Sequence, residues 1–160
     1  MVRVIAQLDA ASDQALAILA VVYLGHLLRL LIFAALALDR FPEAAEEFLF
    51  EGRDTGLATF YSRIEMAKSL GEISDGEARD LDLIRKVRNR FAHALGDLSF
   101  DTEDISNRCR ELTTARATGA APSARDCYQN ASVRLMVGIL QRTHKLTGQN
   151  DTESERRVVE

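Results

Sequence analysis

Proline occurs twice and tryptophan not at all in these 160 residues, and only 6% of the chain is aromatic. With so few breakers and so much Ala and Leu, the chain is poorly suited to a large sheet, and its balance suits a helical globule. Cysteine is almost as scarce. Cys109 and Cys127 are not spaced like a metal site, and two thiols do not make a disulfide scaffold in a domain of this size, so a reduced, cytoplasmic setting is expected. There is no Gly-rich phosphate loop, no glutamate-bearing zinc motif and no internal repeat, so neither a cofactor nor a metal is expected. A helix-turn-helix is also missing: the candidate turn at Gly71 joins helices that look core-forming on the sides that would have to be exposed. Positive charge is in deficit, with 20 Lys and Arg against 24 Asp and Glu and a formal net charge of −4. That excludes coating nucleic acid over the whole surface, which requires many neutralised phosphates, and leaves only a local contact.

What is present is apolar: 47% of the residues are hydrophobic, and 160 residues suffice for one real core but not for two ordinary domains. The run "ALAILAVVYLGHLLRLLIFAALAL", Ala15 to Leu38, is long enough to cross a bilayer. His26 and Arg29 interrupt its middle, and a central Arg costs roughly 2.5–3.5 kcal/mol to insert. Every later segment is amphipathic and needs an apolar partner, which a buried central helix supplies, so this run reads as a core helix and no membrane association is expected. The opening "MVRVIAQLDAASDQ" has no basic region beside a short apolar core and no small-residue cleavage site, so no secretory leader is expected.

The fold class that follows is all-α: a single-domain helical bundle over residues 1–147 with a long apolar central first helix, and a polar, disordered tail over 148–160. Ser12 and Asp13 are N-caps for the first helix, which should run to about Asp39 and Arg40, ahead of Pro42. A short acidic helical piece, "PEAAEEFLF", and a Gly-punctuated loop, "EGRDTG", come next. A helix over about Leu57 to Leu70 buries Phe60, Ile64, Met66 and Ala67 and stops at Gly71. Ser74 and Glu77 are spaced as a capping box for the next helix, which should end near His93 or Ala94. "GDLSFD" then reads as an ordered loop anchored by Leu98 and Phe100. A short helix over Thr102 to Leu112, a flexible connection "TTARATGAAPS" and a final helix from Ser123 to about Leu146 complete the chain.

The chemistry concentrates in "IRKVRNRFAH", Ile84 to His93. At about 100° per residue, Ile84, Val87 and Phe91, flanked by Leu83, form an apolar stripe. Asp82, Arg85, Asn89 and His93 fall on the opposite side at spacings of three, four and four. A solvated face accounts for part of this, with Asp82 and Arg85 as an exposed pair worth about 0.5 kcal/mol. It leaves two things over: Asn is a poor helix former with no local reason to sit mid-helix, and "RKVRNR" repels itself unless something acidic visits. Arg88 precedes His93 by five residues, about 140° round the helix, so the two converge on one ligand only if the helix end unwinds or a dimer brings a second copy close. Asp80 sits on the apolar side and needs a partner, with Arg63, Lys68 or the His26 and Arg29 pair as candidates for an interhelical salt link. His26 itself reads as a hydrogen-bonded core histidine.

"TFYSRIEMAKSLGEISDGEARDLDLIRKVRNRFAHALGDLSFDTEDI" resembles the mannitol operon repressor family of bacteria: a Ser-Arg-Ile segment, a Leu-Gly turn, "DLDLIRKVRNRFAH" and then "LSFD" follow in the same order. The resemblance covers about Phe60 to Ile105 and, more loosely, "SDQALAILAVVYLGHLL". The chain departs from the family pattern near His26 and Arg29, where acidic residues are commoner. The resemblance implies an all-helical fold without a recognisable DNA-binding motif, associated with transcriptional repression of sugar-alcohol uptake through partner proteins; the expected function is a regulator of this type working as a homodimer through protein or nucleic-acid partners. Its working surface would be Asp82, Arg85, Lys86, Arg88, Asn89, Arg90 and His93. "RNRFAH" also resembles the Arg-Asn-any-any-any-His signature of the HEPN superfamily, whose members include metal-independent RNases and non-catalytic binders. That resemblance implies that Arg88 stabilises a phosphate, His93 acts as general base or acid, and Asn89 orients the scissile group. A purely structural dimer that buries this face is the third expectation.

Overall fold

The computed structural model describes residues 2–37, 49–50, 56–94, 96–114 and 122–159, with side chains as far as 148. Within them lie six helices and no strand: α1 (Val2–Ala10), α2 (Asp13–Ala35), α3 (Phe60–Ser69), α4 (Asp75–Ala92), α5 (Glu103–Arg110) and α6 (Ala124–Val159).

The long apolar helix is α2, so it is second in the chain rather than first. The polar opening forms α1, which buries Leu8 and docks through a bond from the Tyr23 hydroxyl to Gln7 Oε1 (2.7 Å). Ser12 caps α2 by accepting from the Ala15 amide at 3.3 Å. Leu16, Ala17, Ala20, Val21, Leu24, Gly25, Leu28, Leu31 and Ile32 recur at three and four, so the side of the helix they occupy is covered by α3, α4 and α6. α3 packs against α2 at Gly25, where an added Cβ would meet the Phe60 ring at an ordinary contact distance of 3.4 Å. α2 is long and apolar enough to cross a bilayer, and 50% of its most apolar window is buried against the rest of the chain. His26 is exposed, not a core histidine: it falls between the buried rows, on the uncovered strip that also carries Val22 and Leu30. α2 stops at Ala35, short of Asp39, because the chain turns left-handed at Ala37 (φ 49°). The acidic piece 42–50 and the loop 51–56 lie almost wholly outside the described residues.

Local signals place the next two helices. Thr59 and Ser62 cap α3 reciprocally, each side chain accepting the other's amide (3.0 and 3.2 Å), which starts the helix at Phe60. At its end the Glu72 amide bonds to the Ala67 carbonyl (3.0 Å) and the Gly71 amide to the Lys68 carbonyl (2.9 Å), with Gly71 at φ 76°. This left-handed cap is where glycine has no Cβ to clash. Ser74 and Glu77 form the second capping box and open α4. Glu77 Oε1 also accepts from Arg142 of α6 at 2.6 Å, so the cap joins two helices. Burial would raise the Glu77 carboxyl, but the Ser74 amide and hydroxyl and the Arg142 guanidinium outweigh it and hold the group below the usual carboxylate range.

The expected stripe of α4 is the buried one, with Leu83, Ile84, Val87 and Phe91 all in the core. Phe91, Phe100 and Tyr128 stack in sequence with ring centroids 5.1 Å apart at each step. Phe100, from the loop after α4, is thereby an anchor, and its amide donates to Asp13 Oδ2 at 3.0 Å. Asp13 Oδ1 accepts from Arg125 at 2.5 Å, while Arg125 also reaches the Ala11 carbonyl, so the corner between α1 and α2 is tied to α6.

Asp80 meets no cation among the described residues. Fully buried, it accepts from the Thr113 amide (3.2 Å) and hydroxyl (3.0 Å) and from the Thr114 amide (2.8 Å) and hydroxyl (2.7 Å). The candidate cations are engaged elsewhere: Arg63 bonds the Leu57 and Gly25 carbonyls, Lys68 pairs with Asp75, and Arg29 lies over the Phe50 ring. The start of the connection expected to be flexible is therefore what satisfies this carboxylate; 115–121 lie outside the described residues. The last helix does not stop near Leu146. Its backbone continues through the polar stretch to Val159, where a disordered tail is expected from the sequence; Gly148 alone is a modest penalty, and the Glu, Gln and Arg residues beyond it are good helix formers.

Asp80→Ala leaves four donors facing an apolar gap and should lower the unfolding free energy by about 3 kcal/mol, with Asp80→Asn costing roughly half as much. Urea unfolding of both variants measures this, and a loss below about 1 kcal/mol for the Ala variant would show that the Thr113–Thr114 turn re-pairs without it.

Candidate functional site

α4 presents its polar line on the side opposite the buried stripe, and each cation in "RKVRNR" finds a different environment. Arg85 chelates Asp82 Oδ1 through Nε (2.8 Å) and Nη2 (2.7 Å), while Lys86 holds Asp82 Oδ2 at 2.9 Å. Burial pushes the Asp82 carboxyl up, but the hydrogen bonds and charges of Lys86 and Arg85 outweigh it and keep the group below the ordinary carboxylate value. The Arg85 guanidinium also lies over the Tyr61 ring, 5.3 Å from its centroid. Arg90 reaches across to α5 and bonds Asp104 at 2.8 Å, a carboxylate that also meets Arg108 at 3.4 Å. Arg90 is thus a tie between helices.

Arg88 differs from the other three. Its Nη1 donates to Asn89 Oδ1 at 3.0 Å, its Nε is buried with no acceptor, and no carboxylate pairs with it among the described residues. A buried donor without an acceptor costs about 1–3 kcal/mol. The contact also supplies the local reason for Asn89 in mid-helix: its side-chain carbonyl orients the Arg88 guanidinium.

Arg85, Arg88 and Asn89 form one wall of a cleft of about 570 Å³. Val21 of α2 and Ala58, Thr59, Phe60 and Tyr61, where α3 begins, complete its lining. No carboxylate is among these residues, so the cleft is cationic inside an acidic chain.

The residues expected to act together separate here. Asp82, Arg85 and Lys86 form one ion-pair cluster, from which Arg85 also lines the cleft beside Arg88 and Asn89. Arg90 is engaged with α5. His93 is exposed at the C-cap of α4, its amide bonded to the Asn89 carbonyl at 3.1 Å, and it does not line the cleft. Within one chain, Arg88 and His93 do not share a site. Thr59, Phe60, Tyr61 and Val21 were not singled out by sequence reasoning as site residues. The "TFYS" capping spacing could have fixed where α3 starts, but no spacing signal joins that start to Arg88.

The thiols stand apart from this surface. Cys109 and Cys127 are free and buried; burial, with Cys127 as neighbour, pushes Cys109 up to about 12, so it stays protonated and unreactive.

Comparison with protein-family models finds no match, and no curated protein sequence matches the chain. Among solved structures, the chain is similar to one in the X-ray structure of the MtlR–HPr complex from Escherichia coli. The TM-score is 0.62 at 22% sequence identity, and the alignment covers 91% of this chain and 96% of that one. MtlR is the mannitol operon repressor. A likeness at this identity shows a shared fold across nearly the whole of both chains.

Asp82→Asn should cost about 0.5–1 kcal/mol near neutrality by releasing Arg85 and Lys86. Because the folded Asp82 value is depressed, its contribution is present above the unfolded value of about 3.9 and is lost as pH falls through the folded value. The stability difference between wild type and variant should therefore be level from about pH 7 to 5 and shrink as pH falls below about 4, read by denaturant unfolding at each pH.

Proposed function

We propose that the chain is a cytoplasmic regulator of the mannitol-repressor type, acting as a homodimer through a protein partner, with the outward face of α4 as its working surface. One observation carries this reading: over 91% of its length the chain shares its fold with a chain of a complex between two proteins, MtlR and HPr. The sequence resemblance over Phe60 to Ile105 supports it, since that segment supplies α3, α4 and the start of α5, the elements that build the cationic face.

The chemistry of the face suits a protein partner. Arg85 is held on Asp82 and stacked over Tyr61, which is 49% exposed, so an arginine and an aromatic ring are preorganised side by side. Such residues are the common anchors of protein interfaces. Lys86, at the rim, would contribute mainly to steering an acidic partner. Nucleic-acid contact in this reading is confined to the same cations. Cleavage of RNA would need Arg88 and His93 at one scissile group, and their separation in a single chain leaves that to a second copy.

Calorimetric titration with purified HPr should give saturable binding, and Arg85→Ala and Lys86→Ala should each weaken it, Arg85→Ala by about tenfold, or 1.4 kcal/mol. Unchanged affinity in both variants moves the interface off α4, and no complex at all removes the partner reading. Single-stranded RNA incubated with the protein in EDTA should stay intact. Cleavage that disappears in a folded His93→Ala variant would replace the regulator by a metal-independent ribonuclease.

A further inference from the structure

We propose that the cleft between α2, the start of α3 and α4 binds a small organic phosphate, with Arg88 as its main anion contact and Arg85 as the second. This goes beyond the partner reading and does not depend on it.

Size comes first. About 570 Å³ lies in the range of small-molecule pockets and is too large for a lone water or ion to fill. Polarity comes second. The polar side chains that line it are two guanidiniums, an amide and two hydroxyls, with no carboxylate among the described lining residues; Asp82 is bonded to Arg85 but does not line the cleft. Asn89 turns its Oδ1 toward Arg88, which leaves its Nδ2 donor for a ligand. Thr59 caps α3 at the cleft, so the positive end of that helix dipole adds to the same field.

Arg88 gives the strongest indication. Asp82 stabilises Arg85 and Lys86, and Asp104 stabilises Arg90, but Arg88 has a half-buried charge with an amide oxygen as its acceptor and an Nε that has none. A planar guanidinium in that state is matched by an oxyanion able to take two donors at once, the fork geometry in which arginine holds phosphate. A phosphate monoester, a dianion over most of the neutral range, suits two arginines better than a carboxylate does. Phe60, Tyr61 and Val21 give the organic part an apolar wall, which free phosphate would leave unused.

The test is calorimetric titration of the full chain with phenyl phosphate, inorganic phosphate and phenol, with circular dichroism on every variant. Phenyl phosphate should bind saturably at about millimolar concentrations or below, inorganic phosphate more weakly, and phenol not detectably. Arg88→Gln should weaken phenyl phosphate by about tenfold or more, and Arg85→Gln by a smaller factor. No binding of phenyl phosphate up to about 10 mM overturns the proposal. So does unchanged affinity in Arg88→Gln, or phenol binding as well as its phosphate, which would mark a merely apolar pocket. Inorganic phosphate binding as tightly as phenyl phosphate would also overturn it, in favour of a plain anion site. Should Arg88→Gln fail to fold, Arg85→Gln decides: its side chain is 28% exposed and can be replaced at the cleft rim, and unchanged affinity there overturns the proposal too.

Discussion

A 23-residue helix with apolar side chains on most of its circumference has to be surrounded, and the fold is arranged to do this. α2 cannot leave Leu16, Leu24, Leu28 and Leu31 in water, so α3, α4 and α6 must each offer it an apolar stripe. Their polar faces are consequently turned outward. The cationic line of α4 is in this sense a by-product of covering α2: once Ile84, Val87 and Phe91 are committed to the core, Asp82, Arg85 and Asn89 have only the outside or a seam between helices to occupy.

The seam is where the chemistry collects. α3 lies close against α2 at Gly25, and its amino end, set by Thr59 and Ser62, meets α4 beside Arg85 and Arg88. The ion pairs of the neighbouring cations matter as much as Arg88 itself. Asp82 satisfies two cations and Asp104 secures a third, so the run that looks self-repelling in sequence is largely neutralised, with one guanidinium left over in a cleft. That remaining charge is a local remainder in a network whose other pairs lie along α4, at Asp82, or join α4 to α5, at Asp104.

Elements whose signals are local were legible in the amino-acid order alone. The box at Ser74 and Glu77, the left-handed stop at Gly71 and the anchoring of Phe100 each depend on residues a few positions apart, or on one apolar side chain in a polar loop. α1 was not, because a single fully buried residue, Leu8, gives too short a period to recognise. Asp80 shows the other kind of failure. That it needed a partner followed from its place on the apolar stripe, but the donors sit 33 and 34 residues away, and polar hydroxyls and amides served where a cation was expected.

The amino-acid order contains the all-helical class, the core role of the apolar run and the identity of the buried face of α4, because helix period and capping are properties of short segments. It also contained the resemblance to mannitol repressors, with which the shared fold agrees. How the motif "RNRFAH" is divided depends on the packing of the helices. Arg88 and Asn89 enter a cleft completed by residues from position 21 and from 58–61, and His93 is left outside it. Five residues along one helix turn two side chains apart, and which neighbour each then meets is set by packing between distant segments, a quantity that local spacing does not contain.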